Sequence, residues 1–271
     1  MSFTVLKHIS STQNTRIKEL ISLQSKAKTR TEKQQFVVEG RRELHLASVS
    51  DYAVNALFWC PDIFKESDFL TWVEQFDKSI DITSVSLTVY QKLVVRESTE
   101  GVVGILSHKN HSLDSWQPKS KSPLIVVLES IEKPGNLGAI LRTADAAGID
   151  SIVITEQRTD IYNPNVIRSS VGGFFSVPIF VCSNKEAHDF LIKNNINTYA
   201  ASLQNSTDYS RLDYTQPTAF VMGSEAKGLS PFWYQQGITA VKIPMLGNVD
   251  SLNVSVATAI LTYEVIRQRN S

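Results

Sequence analysis

The sequence predicts an α/β protein whose C-terminal half forms a mostly parallel sheet with helices on both faces. The first indication is that short apolar runs alternate with helical patterns along residues 123–271. The second is that the run at 124–127 ("LIVV") is apolar without interruption, which is typical of a strand buried on both faces, and that "DSIVIT" at 150–155 reads as a second strand. Ligands of such sheets bind beyond the carboxyl ends of the strands, so we expect a site there.

A polar stretch predicts a boundary between two domains. From Ser107 to Pro123 the sequence is rich in serine and lysine and carries two prolines, so we expect few contacts to anchor it. Residues 1–107 are then a smaller α/β domain of short strands and helices, residues 108–122 a linker, and residues 123–271 the second domain.

Helical patterns mark both ends of the chain. Near the start, Ile17, Leu20 and Ile21 form one apolar stripe with cations opposite, which predicts an amphipathic helix followed by a basic loop. After strand 124–129 we expect a helix that Gly148 closes just past its end. The last helix is expected to present an apolar stripe that consists of Leu252, Val256, Ala259, Ile260, Tyr263 and Ile266.

Composition is that of a globular protein, with 42% hydrophobic and 20% charged residues. No run reaches the roughly 18 apolar residues of a membrane span, and the start lacks the apolar core of a secretory signal. We therefore expect a cytoplasmic protein without a membrane partner. Cys60 and Cys182 lie far apart in apolar runs, which favours buried thiols over a disulfide or a metal site.

Charge is distributed unevenly although the formal net charge is zero. Between Lys7 and Arg42 there are nine lysines and arginines against three glutamates, a local excess of six positive charges. Such a segment suits a surface that meets phosphates, and a solvated helix face is the alternative interpretation.

Three junctions of the second domain concentrate small and polar residues, and the first spans 129–148. Its Pro134 and two glycines shape a tight loop, Asn136 is positioned to cap a helix, and Arg142 follows six residues later. For this loop alone, a helix cap and a surface arginine are a sufficient explanation.

The other two junctions span 221–230 and 243–257. In the first of these, Gly223 and Gly228 flank Glu225, and glycine would let a ligand approach exposed backbone groups that can read an adenine edge; a simple turn is the alternative. The last junction places Ser251 and Asn253 at the start of a helix, whose free N–H groups favour anions and polar ligands. Taken alone, Ser251 is expected to be a helix cap.

Some chemistry is missing from these junctions. None contains a histidine or a cysteine, and no acidic or histidine cluster has the spacing of metal ligands, so we expect no metal. Any reaction there must use arginine, asparagine, serine, glutamate and backbone groups.

Taken together and in this order, the three junctions resemble the motifs of the SpoU (TrmH-like) family of RNA ribose 2′-O-methyltransferases, over about residues 123–269. The N-terminal stretches "ISSTQNTRIKEL", "FVVEGRREL" and "VYQKLVVRESTEGVVGIL" resemble the substrate-binding domain often joined to these enzymes. The resemblance implies a SPOUT fold, that is, a Rossmann-like parallel sheet with a deep trefoil knot, preceded by a small α/β domain similar to ribosomal protein L30e. It also implies a homodimer formed through the knotted domains. Periodicity does not indicate a knot, and knots are rare.

The resemblance also implies the cofactor, S-adenosyl-L-methionine, and the residues around it. The cofactor-binding residues would be Met222, Gly223, Ile243, Met245 and Leu252. Arg142 would be the central catalytic residue, oriented together with the ribose by Asn136, Glu225, Ser251 and Asn253. A guanidinium keeps its proton, so anchoring a phosphate and polarising the 2′-oxygen is physically easier for it than acting as a base.

RNA is the implied substrate, and we favour ribosomal over transfer RNA. The cations expected to contact it are Arg16, Lys18, Arg30, Arg41 and Arg168. Arg168 lies in "NPNVIRSS", which matches a family stretch, with a structural helix start as the alternative. Ala226 stands where relatives commonly have glycine, which affects only the fine geometry of the loop.

Two other functions compete with this interpretation. A catalytically silent RNA-binding or assembly factor could keep the fold, but it would have little use for the full set of Arg142, Asn136, Ser251 and Asn253. Methylation of a base or a protein is disfavoured because base-methylating relatives of the knotted fold use different loop motifs.

Overall fold

The computed structural model describes residues 7–77, 79–94 and 100–270. They form two compact units, one with the described residues up to Lys109 together with Tyr162–Ile167, the other with Asn110–Ile161 and the described residues from Arg168 onward. The expected boundaries at 107 and 123 stay a prediction. Part of the motif "VYQKLVVRESTEGVVGIL", residues 95–99, lies outside the described residues.

The first unit is a small α/β sheet domain, as expected. Its strands lie in the order β1, β4, β3, β5, β2, with β5 antiparallel to both of its neighbours. The elements are β1 (Lys7–Ile9), α1 (Thr15–Ser25), α2 (Ala27–Lys33), β2 (Gln35–Glu39), α3 (Arg41–Val49), β3 (Val54–Trp59), α4 (Glu66–Val73), β4 (Asp81–Val85), α5 (Leu87–Leu93) and β5 (Val102–Ser107).

Helix α1 confirms the predicted amphipathic helix, but the basic loop expected after it is wrong. Ile17, Leu20 and Leu23 are buried in the core, with Ile21 packed against it. The following residues form the separate helix α2 because the buried guanidinium of Arg30 donates hydrogen bonds to the last carbonyls of α1. Tertiary contacts therefore stabilise a helix in a segment that reads as polar.

The second unit contains a seven-stranded sheet in which every pair is parallel, which confirms the predicted fold class. The strand order is β10, β12, β9, β11, β6, β7, β8. The elements are β6 (Leu124–Glu129), α6 (Pro134–Ala147), β7 (Ser151–Thr155), α7 (Pro164–Ser170), α8 (Gly173–Ser176), β8 (Ile179–Cys182), α9 (Asn184–Lys193), β9 (Asn197–Ala201), β10 (Thr207–Asp208), β11 (Thr218–Met222), α10 (Pro231–Gln235), β12 (Thr239–Lys242) and α11 (Val254–Arg269).

The polar segment before β6 makes more contacts than its composition suggests. Trp116 packs edge-on against Phe190 with 5.0 Å between ring centroids. The backbone carbonyl of His111 accepts a hydrogen bond from Val181 at the edge of the sheet, at 2.9 Å. These contacts anchor the segment to the second unit, because a single large aromatic side chain outweighs the surrounding serines and lysines.

Helix α6 ends as predicted. Gly148 adopts the left-handed conformation with φ of 65°, and its N–H donates to the carbonyls of Ala144 and Asp145. Glycine takes this conformation without the steric cost that a side chain would bring, so it closes the helix.

Helix α11 buries a different face from the expected stripe. Val256 and Tyr263 of that stripe are 47% and 51% exposed, and Leu252 precedes the helix. The buried residues are Val254, Thr258, Leu261, Thr262 and Val265. The helix itself was predicted correctly. Its buried face does not follow from the spacing, because apolar residues surround most of the helix and periodicity could not select a side.

Two further expectations concern membranes and thiols. Among the helices of the described residues, none is both long and apolar enough to span a bilayer. Cys60 and Cys182 are both free, with Cys60 buried and Cys182 partly buried.

Candidate active site

Three strands of the second sheet end at the same edge and lead into the three junctions. Strand β6 ends at Glu129, β11 at Met222 and β12 at Lys242. Because all of these strands are parallel, their carboxyl ends lie at one edge, where residues 130–133, 223–230 and 243–253 follow them.

A hydrogen-bonded chain of side chains connects the three junctions. The amide nitrogen of Asn136 donates to Glu225 Oε1. The amide nitrogen of Asn253 donates to Asn136 Oδ1 at 3.1 Å. Three residues separated by up to 117 positions in sequence are thus held together at the strand ends.

Asn136 and Ser251 do not cap helices, contrary to the predictions for these residues considered singly. Helix α6 begins at Pro134, so Asn136 lies within its first turn and its side chain reaches the other loops. The cap of α11 is Asn253, whose Oδ1 accepts from Ser255 N at 2.9 Å. Ser251 instead donates to Asp250 Oδ1 at 3.1 Å.

Glycines shape the loop after β11. A Cβ on Gly223 would lie 2.2 Å from the carbonyl carbon of Gly228, so a larger residue would displace the backbone. Gly228 has φ of 66°, and its N–H and carbonyl pair with the backbone of Ser224 at 2.9 and 3.1 Å. The loop therefore closes tightly on itself and presents Glu225 at its tip.

A cavity of about 540 Å³ opens beside this loop. All five residues expected to hold the cofactor line it, namely Met222, Gly223, Ile243, Met245 and Leu252. Glu225, Ser251 and Asn253 line it as well. Its volume lies within the range of pockets that enclose small organic ligands, which is roughly 300–1,000 Å³.

Several residues of the cavity wall escaped the sequence analysis. Leu203 and Gln204 follow the carboxyl end of β9, and Tyr234 lies on α10 with its hydroxyl 3.0 Å from that of Ser202. The rule that ligands lie beyond strand ends could have identified the two residues after β9. Nothing in the sequence marks Tyr234.

Arg142 is not part of the hydrogen-bonded chain and does not line the cavity. It is exposed on α6, and within the described ranges its side chain has no hydrogen bond or ion pair. The backbone beside it is closely packed, because a Cβ on Gly173 would lie 2.5 Å from the carbonyl oxygen of Leu141. The helix position is therefore fixed while the guanidinium stays available to a ligand.

The N-terminal cations occupy different environments. Arg16 donates to Asp81 at 2.7 Å and to Thr83 at 2.9 Å, and Arg41 lies over the ring of Phe64, 4.6 Å from its centroid. Lys18 is exposed.

Two of the arginines expected to bind RNA differ sharply in exposure. Arg30 is only 2% exposed and bonded to backbone carbonyls, so it cannot reach a phosphate on the surface; we correct that prediction and leave Arg30 out of the RNA surface. Arg168 is exposed on α7.

Neither a metal site nor a reactive thiol is present among the described residues. No group of three histidine, cysteine or acidic side chains there could hold an ion. Burial, together with the nearby carboxylates of Glu186 and Glu156, raises the pKa of the Cys182 thiol to about 12. A thiol that resists ionisation is a poor nucleophile.

Comparison with known families identifies the second unit. The model of the SpoU rRNA Methylase family matches residues 123–263, slightly more than half of the chain. The chain belongs to this family. The model of an MRM3-like substrate binding domain matches residues 14–104.

Solved structures of RNA methyltransferases match this chain over nearly its whole length. An RNA 2′-O ribose methyltransferase is 34% identical with a TM-score of 0.81, and the match covers 97% of this chain and 100% of that one. An AdoMet-bound rRNA methyltransferase from Sinorhizobium meliloti is 26% identical with a TM-score of 0.87, over 96% and 97% of the two chains. This chain is therefore a methyltransferase of the SpoU family with a separate N-terminal substrate-binding domain.

A curated relative is similar at the level of sequence. The protein comes from Staphylococcus haemolyticus and is named for the TrmH family of tRNA/rRNA methyltransferases. It is 30% identical over 243 residues, which is 87% of this chain and 96% of the relative. The similarity thus extends over both units.

Proposed function

We propose that this protein transfers a methyl group from S-adenosyl-L-methionine to the 2′-hydroxyl of a ribose in structured RNA. The observation that carries the proposal is the convergence of Asn136, Glu225 and Asn253 beside a cavity lined by every residue expected to hold the donor. Ribosomal RNA is the favoured substrate, because the matching family is one of rRNA methylases. The 34% identical structure is that of a 2′-O ribose methyltransferase, which supports the ribose as the acceptor.

The lining of the cavity fits S-adenosyl-L-methionine. Met222, Leu229 and Ile243 provide apolar surface, and the glycine loop provides backbone groups that no side chain covers. This mixture of apolar wall and a few polar groups is typical of sites for small organic ligands and cofactors. When bound, the donor would supply a methyl group on a positively charged sulfur, which is already electrophilic.

The protein's own residues would mainly align and polarise the acceptor. Alignment can contribute about 7–11 kcal/mol in ideal cases. Glu225 fixes the amide of Asn136, and Asn136 in turn fixes that of Asn253, so the polar groups at the cavity mouth have defined orientations. Arg142, with no acceptor in the described parts of the protein, would bind a phosphate of the RNA and polarise the 2′-oxygen.

The N-terminal unit would bind RNA through its exposed cations. Lys18, Arg41 and Arg42 are exposed there. Arg168 of the second unit belongs to the same proposal. Arg16 and Arg41 would contribute only in part, because Asp81 and Glu100 already pair with them.

We also propose a homodimer with the family's knotted topology. Leu246, in the segment between β12 and α11, is 99% exposed, and Val256 and Tyr263 on α11 are 47% and 51% exposed. Several large apolar side chains exposed in one region of a protein are typical of an interface. A second copy packed on α11 would cover these side chains.

The cofactor part of the proposal is tested by calorimetry with S-adenosyl-L-methionine. Gly223→Ala should weaken binding at least tenfold, because its Cβ collides with the backbone of Gly228. Gly135→Ala is the matched control, since a Cβ there meets nothing within 4 Å. Equal affinity of the wild type and the Gly223 variant for S-adenosyl-L-methionine would show that the donor does not bind in this cavity.

The substrate part is tested by mapping 2′-O-methyl positions in total RNA from cells with and without the protein. Loss of one position in ribosomal RNA would support the favoured substrate, and loss in transfer RNA would replace it. Unchanged methylation, with RNA binding retained by the purified protein, would favour a silent assembly factor.

A further inference from the structure

A buried carboxylate at the start of the first junction lies beneath the loops of the site, and the sequence analysis gave it no role. Glu129 is the last residue of β6 and only 3% exposed. Burying a carboxylate is unfavourable unless hydrogen bonds compensate it, so the partners of this side chain indicate its role.

Both carboxylate oxygens of Glu129 accept hydrogen bonds from segments distant in sequence. Oε1 accepts from Asn184 Nδ2 at 2.5 Å, and Oε2 accepts from the backbone N–H of Ser230 at 2.8 Å. Asn184 begins α9, and Ser230 ends the glycine loop that lines the cavity. A single side chain therefore ties the end of strand β6 to the base of this loop.

The position of Ser230 determines the position of the rest of the loop. Leu229 precedes it and is buried in the core, and Gly223 packs against the backbone of Gly228 and Leu229 with no space for a Cβ. A shift at Ser230 would thus pass through these contacts to the backbone of Gly223 and to Glu225. Close packing transmits such shifts rather than absorbing them.

The carboxylate of Glu129 determines the orientation of the Asn184 side-chain amide. The amide nitrogen of Asn184 faces Glu129, while its own Oδ1 is buried without a partner in the described part of the chain. Leaving a buried acceptor without a partner is energetically unfavourable. The amide nevertheless keeps this orientation because its hydrogen bond to the charged carboxylate compensates that cost.

We propose that Glu129 is a positioning residue that holds the glycine loop in the shape required to bind the methyl donor. It does not line the cavity, and it acts through Ser230. This inference rests on the proposed use of S-adenosyl-L-methionine.

The test is Glu129→Gln, measured by calorimetry with S-adenosyl-L-methionine and by methyl-transfer kinetics. The glutamine would present an N–H group to one of the two donors, so we expect the Kd and the KM for the donor to rise at least tenfold while kcat stays within threefold. Glu156→Gln is the control. Glu156 Oε1 accepts a hydrogen bond from the backbone N–H of Asn184, with 3.3 Å between nitrogen and oxygen, but Glu156 has no hydrogen bond to Ser230. The control should bind the donor within threefold of wild type.

Rescue separates positioning from general stability. In the double variant Glu129→Gln with Asn184→Asp, the glutamine amide can donate to the new carboxylate while its oxygen accepts from Ser230. We expect the double variant to recover at least half of the lost affinity on a logarithmic scale.

Three outcomes would overturn the role of Glu129: unchanged binding in Glu129→Gln, equal weakening in Glu156→Gln, or failure of both Glu129 variants to fold. If only the single variant Glu129→Gln fails to fold, donor binding by the folded double variant is the test. A donor affinity of the double variant at least tenfold below that of wild type would contradict the proposal. Absence of donor binding by the wild type would refute the proposed function instead, so the two failures are distinguishable.

Discussion

Arg142 and Arg269 are arginines of the same unit with opposite environments. Arg269, the last residue of α11, donates to the backbone carbonyls of Ser122 at 2.6 Å, Gln216 at 2.8 Å and Tyr214 at 3.0 Å. Arg142 has no such acceptor among the residues that the structure describes. The difference teaches that a cation whose donors are satisfied holds the fold, whereas an exposed one on a rigid helix is available for a ligand.

The largest effect should follow from Arg142→Ala. Removing a preorganised cation from a transition state typically lowers kcat about 100- to 1,000-fold. Because Arg142 does not line the cavity, donor affinity should stay within threefold and the melting temperature should not change. Methyl-transfer assays, calorimetry and thermal melts measure these three quantities, and loss of donor binding would contradict the assigned role.

Arg269→Ala should show the reverse pattern. It leaves three backbone carbonyls without their donor, which should lower the free energy of unfolding by about 2 kcal/mol. Activity of the remaining folded protein should be close to that of wild type. Arg267→Ala is the control in urea unfolding, since Arg267 is exposed and pairs with Glu264, and it should change stability by less than about 0.5 kcal/mol. Equal stability losses in both variants would refute the distinction.

A smaller effect is expected from Asn253→Ser, which removes one hydrogen bond of the site and leaves the arginines unchanged. Serine caps a helix as well as asparagine, so α11 should keep its stability. The hydrogen bond to Asn136 is lost, and we expect methyl transfer to fall about tenfold, corresponding to about 1.4 kcal/mol. A melting temperature lower by several degrees would instead attribute the loss of activity to destabilisation of helix α11.

The smallest effect is expected in the N-terminal unit, where an exposed cation and a paired cation can also be compared. Lys18 is exposed, whereas Arg16 is paired with Asp81. Lys18→Ala should weaken RNA binding a few-fold and reduce the slope of log affinity against log salt by about 0.7 for single-stranded RNA. Titrations at several salt concentrations measure this, and an unchanged slope would remove Lys18 from the RNA surface.

The sequence predicted the elements whose signals are local. The parallel strands follow from uninterrupted apolar runs, and the end of α6 follows from Gly148 in a conformation that favours glycine. The residues around the cavity were implied by the resemblance of the three motifs together to the SpoU family, not by any single motif. Singly, Asn136 and Ser251 suggested helix caps, and the structure shows that neither is one.

What the sequence could not predict depends on contacts between distant segments. The burial of Arg30 depends on how α2 folds against the end of α1, and the buried face of α11 is one of two apolar faces. The role of Glu129 was hidden for the same reason, since its partners lie 55 and 101 residues away. Local patterns describe elements, and these features arise from the packing between them.

The most direct test of the account is to find where the methyl group goes. Purified protein is incubated with ribosomal RNA and methyl-labelled S-adenosyl-L-methionine, the RNA is digested to nucleosides, and the label is assigned by mass spectrometry. The account predicts a single 2′-O-methylated nucleoside, absent when Arg142→Ala replaces the wild type. Label on a base, or undiminished ribose labelling by the variant, would contradict it.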